Sequence, residues 1–216
     1  QKIFAILLFT LILGTLFSVT FYLFRYQFYS LATSRSELFE FADLYFVPII
    51  LGLPVTLLSM AILSVLRGME KVNVSFFIVA LITILNIVFS WSSLHLFGKG
   101  LDFVAISTIL SQGVGSLLAI LFLVSEDWQS FLEFVKSKNE ISSWWGIVKG
   151  ELASWGRDSR NLIVRSAVLS LTFFLCTRVA SGLGTKELAA YQVLLQIWLF
   201  FSYWIDGLAI TGNIYG

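Results

Sequence analysis

The sequence YQVLLQIWLFFSYWIDGLAITGNIYG, residues 191–216, is apolar and aromatic over most of its length but carries Asp206 near its middle. A helix needs about 20 apolar residues to cross the hydrocarbon core of a bilayer, so this stretch is long enough to span one. A carboxylate at that depth is costly and normally faces a partner or a water-filled cavity. Asp206 is therefore either an interhelical hydrogen-bonding group or a protonatable or cation-binding group in a transport pathway.

Other polar and small residues accompany Asp206 on the same stretch. Gln192 lies earlier along it, and Asn213 continues the helical face of Asp206 two turns onward. Gly207 allows the helix to bend or to pack closely against a neighbour. We predict that Asp206, Gln192 and Asn213 serve transport or ion coupling and that Gly207 serves gating or packing.

Composition extends this interpretation to the whole chain. The sequence is 58% hydrophobic and 12% charged, and its mean hydropathy of +0.89 is typical of membrane proteins. Because the bilayer offers the backbone no hydrogen bonds, each span must be helical, and the predicted fold is an all-α polytopic membrane bundle. The six predicted spans are Ile3–Phe24, Leu44–Leu66, Val74–Phe97, Phe103–Val124, Leu162–Leu183 and a span opening near Leu188. Pro48 and Pro54 should kink or loosen the second span.

The distribution of positive charge predicts the orientation of these spans. With the N-terminus inside, eight basic residues lie on inner segments and four on outer segments, leaving out two within a span. This places the polar connection Ser125–Arg160 in the cytoplasm. Helical spacing of apolar residues over 126–139 and 141–155 favours amphipathic helices on the inner membrane surface, and a plain linker between two bundles fits equally well.

Few residues are suited to catalysis or metal binding. His95 is the single histidine and has no Cys or carboxylate cluster near it, so we expect an interfacial histidine, no metal site and no cofactor. Intramembrane aspartyl chemistry needs two carboxylates, and no second Asp or Glu lies within a predicted span. We therefore predict no enzyme. The lone Cys176 excludes a disulfide within the chain, and the lack of a basic block gives no indication of a nucleic-acid partner.

Neutral polar residues cluster in the third and fourth spans. Asn86 and Ser90 are four residues apart and share one helical face, and Thr108 lies among further hydroxyl groups in the next span. Such oxygens can coordinate Na⁺ or line a hydrated cavity. They can equally form interhelical hydrogen bonds with no transport role.

Three segments of the chain resemble the multidrug and toxic compound extrusion (MATE) family, in particular its DinF-like branch. The first is LRG at residues 66–68, after a span whose Pro54 matches the proline of the family's fourth helix. The second comprises Asn86-Ile87, AIST at 105–108 and SQ at 111–112. The third runs from Arg160 to Gly216 and contains RNLIVRS, LAAYQVLLQ and IDGLA.

The resemblance implies twelve helices in two lobes, of which this chain would supply helices three to eight. Residues 1–124 would end the first lobe, 125–160 would connect the lobes in the cytoplasm, and 161–216 would begin the second. It also implies alternating-access exchange of a cationic or amphipathic drug, as small-molecule substrate, against H⁺ or Na⁺. We expect a monomer in the lipid bilayer of a bacterial inner membrane. Because the chain starts and ends in apolar sequence, we expect a segment of a longer protein.

The resemblance also assigns roles to single residues. Asn86 and Thr108 match positions of a first-lobe cation site, and Ser90 stands where the family has an aspartate. Asp206 matches the aspartate of the family's Asp-Gly motif. Two alternatives stay open: a lipid-linked oligosaccharide flippase of the same wider superfamily, and a non-transporting scaffold or decayed transporter.

Overall fold

The computed structural model describes residues 2–33, 37–98, 100–126, 128, 132 and 141–215, and within these ranges the ordered elements are helices. Eight helices have defined bounds: α1 Lys2–Leu23, α2 Arg25–Ala32, α3 Glu37–Leu51, α4 Leu53–Gly68, α5 Val72–His95, α6 Leu101–Glu126, α7 Ile141–Leu183 and α8 Thr185–Tyr215. Most of the amphipathic segment predicted over 126–139 lies outside the described residues.

The number of membrane spans agrees with the prediction. Among the described residues, five helices are long and apolar enough to cross a membrane, and the bent pair Leu38–Leu51 and Leu53–Gly68 makes a sixth when it is counted as one span. Each of these spans overlaps a predicted one. The predicted fold class, a polytopic helical membrane bundle, is confirmed.

The helices group into two compact units. Unit 1 comprises Gln1–Arg25 and Phe39–Ser159, and unit 2 comprises Tyr26–Leu38 and Arg160–Gly216. The division into lobes at 124 and 160 stays a prediction.

In unit 1, α4 packs against α1, α5 and α6, and α5 packs against α6. Ile62 and Leu66 of α4 are fully buried and lie at the centre of the apolar core. The same core contains Leu7, Leu63, Ile78, Ala119 and Leu123. Because Ala119 and the nearby Gly115 are small, α6 can approach its neighbours closely, as is typical of helix packing in membranes.

The second span breaks at Gly52, where its two halves diverge by 51°. Pro54 lies in the first turn of α4, where its missing N–H costs least. Gly52 is buried, and a Cβ on it would overlap the side chain of Ile109. The kink predicted from the two prolines is therefore present, and α6 packs directly against it.

The turn between α4 and α5 contains the LRG segment. Lys71 N–H donates to the carbonyl of Leu66 and Glu70 N–H to that of Arg67, a Schellman pattern with Glu70 at φ 62°. The Lys71 ammonium also pairs with the Glu126 carboxylate at 2.6 Å, which ties this turn to the end of α6.

The described backbone differs from the sequence analysis over 141–183. A surface helix over 141–155 and a separate span from Leu162 were expected, but α7 is one continuous helix. The charged residues Arg157, Asp158 and Arg160 interrupt the apolar pattern, yet they are compatible with helical backbone hydrogen bonding and do not end the helix.

Unit 2 contains the short helix α2, which a search for spans does not detect. Tyr29 of α2 is buried, and the Ser181 hydroxyl near the end of α7 donates to Thr33 Oγ1 at 2.6 Å. Most described side chains of α7 and α8 are exposed, although Phe173 and Trp198 pack with ring centroids 5.3 Å apart.

We predict that Gly14→Ala destabilises unit 1, since a Cβ there would lie 2.8 Å from Cα of Pro54, a backbone atom that cannot move without shifting α4. The expected loss is about 1–3 kcal/mol, the usual cost of overpacking. Thermal unfolding in detergent measures it. Gly113→Ala is the matched control, because its Cβ would lie 3.8 Å from Val55 Cγ1 and fits. An equal effect of the two substitutions would contradict the packing at Gly14.

Candidate functional site

A cluster of neutral oxygens lies between α5 and α6. Asn86 Oδ1 accepts a hydrogen bond from Ser90 Oγ at 3.1 Å and another from Thr108 Oγ1 at 3.3 Å. All three side chains are half-buried. The helical spacing of Asn86 and Ser90 places both on the side of α5 that faces α6, and Thr108 meets them from α6. The structure thus brings together the three residues predicted as a possible cation site, which we call the Asn86 cluster.

One turn further along α6, a second polar contact reaches α4. Thr56 Oγ1 donates to Gln112 Oε1 at 2.6 Å and also lies 3.4 Å from the carbonyl oxygen of Gly52. Thr56 is therefore adjacent to the break in the second span. Sequence reasoning noted Gln112 among the polar residues of its span, but nothing in the sequence pairs it with a threonine 56 positions away.

Further hydroxyls extend the polar side of α6. Ser93 Oγ and Ser107 Oγ are 3.3 Å apart, and Ser107 and Ser111 also donate to carbonyls of the preceding turn. Ser116 is 4% exposed, and its hydroxyl has no hydrogen-bonding partner within the described structure. The polar side of α6 therefore runs from Ser107 to Ser116 through the middle of the helix.

The chemistry available to the Asn86 cluster follows from its donor set. An amide oxygen and two hydroxyl oxygens are ligands that hard cations prefer, but none of them carries charge. Asn, Ser and Thr side chains do not titrate near neutral pH, so the cluster itself offers no group that gains or loses a proton. Alternatively, the Thr108–Asn86 bond serves only helix association, to which such an interhelical bond contributes about 0.6 kcal/mol, and the Ser90–Asn86 bond lies within α5.

The residues predicted on the last span are only partly described. The backbone at Asp206, Gly207 and Asn213 belongs to α8, but their side chains lie outside the described part of the chain. Gln192 is half-buried on α8 and belongs to unit 2. Pro54 lies at the bend of the second span in unit 1, as predicted.

No metal centre is found among the described residues, where no group of three His, Cys, Asp or Glu side chains is close enough to hold an ion. His95 stacks on Trp91 with ring centroids 5.3 Å apart, and its Nδ1 lies 3.1 Å from the Trp91 carbonyl oxygen. These contacts are those of an ordinary histidine near a helix end.

The ion pairs found among the described residues of unit 1 do not involve the Asn86 cluster. Arg25 Nε is 3.3 Å from Asp43 Oδ1, and its guanidinium lies 4.4 Å from the ring centroid of Tyr22. The other pair, Lys71–Glu126, joins the turn after α4 to the end of α6.

Comparisons with known proteins agree with this architecture. The family model described as MatE matches residues 1–92. Over 166 residues the chain is 30% identical to Protein DETOXIFICATION 43 of Arabidopsis thaliana, which covers 76% of this chain and 28% of that protein. These matches support the similarity of this chain to the MATE family.

Two further Arabidopsis thaliana proteins show weaker similarity to this MATE-like chain. Protein DETOXIFICATION 44, chloroplastic, is 26% identical over 162 residues, which are 75% of this chain and 29% of that protein. Protein DETOXIFICATION 42 is 27% identical over 171 residues, which are 76% of this chain and 29% of that protein. The chain thus spans less than a third of the length of these relatives. No solved structure matches it.

We predict that Asn86→Ala destabilises unit 1 by about 0.6 kcal/mol, because Thr108 loses the acceptor that joins α6 to α5 and an interhelical hydrogen bond in a membrane contributes about that much. Thermal unfolding in detergent measures the loss. Asn73→Ala is the matched control, since Asn73 is exposed on the same helix. Equal stability of the Asn86→Ala variant and the wild type would mean that these hydrogen bonds contribute nothing.

Proposed function

We propose that this chain is part of a MATE-type secondary transporter that exports cationic or amphipathic drugs in exchange for H⁺ or Na⁺. The observation that carries the proposal is the uncharged polar cluster of Asn86, Ser90 and Thr108 inside a bundle of apolar spans. Buried polar groups in membrane helices often mark substrate or ion pathways. The MatE match and the similarity to proteins named DETOXIFICATION support transport of foreign compounds in particular.

The proposed mechanism is alternating access, in which one bundle of helices rocks against another around a site near the membrane midplane. Asp206 is the proposed coupling carboxylate, since the sequence places it deep in the last span. A proton or a sodium ion that neutralises it lowers the cost of moving the helix past lipid. Gln192 and Asn213 are proposed to line the same pathway, and Pro54 and Gly207 to allow the helices to bend.

The proposal also covers the branch of the family, the oligomeric state and the cellular location. Similarity of Arg160–Gly216 to the DinF-like branch supports that branch, and we propose a monomer with no cofactor that transports without catalysing a reaction. The proposed location is a bacterial inner membrane. Because the name of one relative includes the word chloroplastic, a plastid membrane is the alternative location.

The test is efflux of a cationic dye from proteoliposomes that contain the whole protein, with Na⁺ and pH gradients imposed separately. We expect Asp206→Asn to abolish gradient-driven efflux, because the amide cannot be protonated and binds cations weakly. Asp102→Asn is the matched control, since this acid lies in the first turn of α6 near a helix end, and it should retain efflux.

Two outcomes would count against the proposal. Efflux that is unchanged by Asp206→Asn would leave this residue as an interhelical hydrogen-bonding group and remove its coupling role. Wild-type protein that exports no dye under either gradient would contradict drug export and favour the flippase or the scaffold.

A further inference from the structure

We infer that Gln112 is a positioning residue that exchanges its amide oxygen between Thr56 and the Asn86 cluster, and thereby ties cation binding in the cluster to the bend at Gly52. The inference rests on the proposed function, because it describes how one site of the transporter is linked to the shape of a neighbouring span.

The first observation is that the hydroxyl of Thr56 has two acceptors within reach. A threonine hydroxyl carries one hydrogen and can make one strong donor bond at a time. At present Gln112 Oε1 receives it at 2.6 Å, whereas the Gly52 carbonyl oxygen lies 3.4 Å away. A threonine hydroxyl that bonds to the carbonyl four residues earlier tends to bend its helix. The two acceptors therefore correspond to two backbone geometries at the break.

The second observation is the position of Gln112 next to the Asn86 cluster. Gln112 follows Thr108 by four residues on α6, so their side chains are neighbours, with Cβ atoms about 5–6 Å apart. The cluster supplies three neutral oxygens from Asn86, Ser90 and Thr108. A hard cation seeks more oxygen ligands than three. The Val104 carbonyl oxygen lies 3.2 Å from Thr108 Oγ1, and helical spacing makes the amide oxygen of Gln112 a further side-chain candidate. If Gln112 turns to the cation, Thr56 loses its acceptor and returns to Gly52.

The third observation is that backbone hydrogen bonds on the α4 side of the break converge on the Gly52 carbonyl, while the Gly52 N–H donates to the Pro48 carbonyl at 2.9 Å. Pro54 has no N–H, so the carbonyl of Ile50 lacks its normal donor four residues on. The N–H groups of Val55 and Thr56 both donate to the Gly52 carbonyl, at 3.0 and 3.1 Å. A carbonyl oxygen has two lone pairs, so a strong bond from the Thr56 hydroxyl to Gly52 competes with these two N–H donors and changes the backbone at the break.

Helix α6 contacts the break at three positions, which makes it suited to transmit the change. Ile109 packs on Gly52, Gln112 bonds to Thr56, and a Cβ on Gly113 would meet Val55 at 3.8 Å. Helix α1 contributes a further contact, since its Gly14 packs against Pro54. Packing from α1 and α6 therefore holds the position of the break, while the Thr56 hydrogen bond sets the angle between α3 and α4.

The test measures the bend directly in the whole protein, reconstituted in lipid nanodiscs. Spin labels are placed on Tyr45→Cys and Met60→Cys, which are exposed on α3 and α4, in a Cys176→Ser background. Distances between the two labels are measured by double electron–electron resonance as Na⁺ replaces a bulky organic cation at constant ionic strength and pH. We expect Na⁺ to shift the distance distribution of this labelled parent protein.

Thr56→Val and Gln112→Leu should each lose the Na⁺-dependent shift, and combining them should add nothing, since both remove the same hydrogen bond. Thr56→Ser keeps the hydroxyl and should restore the shift. Thr83→Val is the matched control, because Thr83 is exposed and its hydrogen bond within the described structure goes to the Val79 carbonyl of its own helix, so the shift should persist. Thermal unfolding of each variant shows whether it has folded. If Gln112→Leu does not fold, the inference is judged on Thr56→Val, which changes the side-chain volume least.

A Na⁺-dependent shift in Thr56→Val as large as that of the labelled parent would overturn the inference, as would the absence of a shift in the parent. Dye efflux by the same preparations is judged separately. If the parent exports dye but Na⁺ does not change the distance between the labels, only the role of Gln112 is refuted. If the parent exports no dye under either gradient, the proposed function itself is refuted.

Discussion

Inside a bilayer no water is available to bond the backbone, so a helix that breaks there must be supported by its neighbours. The second span breaks at Gly52, and its support is specific. Gly14 of α1 leaves room for Pro54, Ile109 of α6 fills the space beside Gly52, and Thr56 bonds to Gln112. If α1 or α6 were displaced, the bend would lose its support. The order of packing in unit 1, with α4 between α1, α5 and α6, follows from this requirement.

Helix α6, which supports the break, also contributes Thr108 to the Asn86 cluster. Along α6, Thr108 faces Asn86 of α5 and Gln112 faces Thr56 of α4, so one helix joins both polar contacts. This arrangement gives a physical reason for neutral polar residues in the middle of apolar spans. Interhelical hydrogen bonds alone would satisfy each group, and a transport role requires in addition that water or ions reach the cluster. The two accounts differ in hydration, which is a property of the molecule that can be measured.

The sequence predicts the spans well because bilayer thickness fixes helix length and composition. It also predicts the kink from Pro54 and the shared face of Asn86 and Ser90 from helical periodicity. Contacts between distant residues leave no such trace: the Thr56–Gln112 bond depends on how α4 and α6 pack, and the fit of Gly14 against Pro54 depends on how α1 and α4 pack. The helix α2 is missed because it is too short to span. The continuity of α7 is missed because polar residues interrupt hydropathy without interrupting backbone hydrogen bonds.

The most direct test of the account is the water accessibility of position 90. In the whole protein with Cys176→Ser, Ser90→Cys is exposed to a small, membrane-impermeant thiol reagent. Val88→Cys is the control, because Val88 is exposed and its position two residues away along the same helix places it on the opposite side from Ser90 at almost the same depth. We predict that Ser90→Cys reacts and that the transported ion or drug slows the reaction, while Val88→Cys stays unreactive in lipid. A Ser90→Cys thiol as unreactive as that of Val88→Cys would show that the cluster is dry, and would contradict its place in a transport pathway.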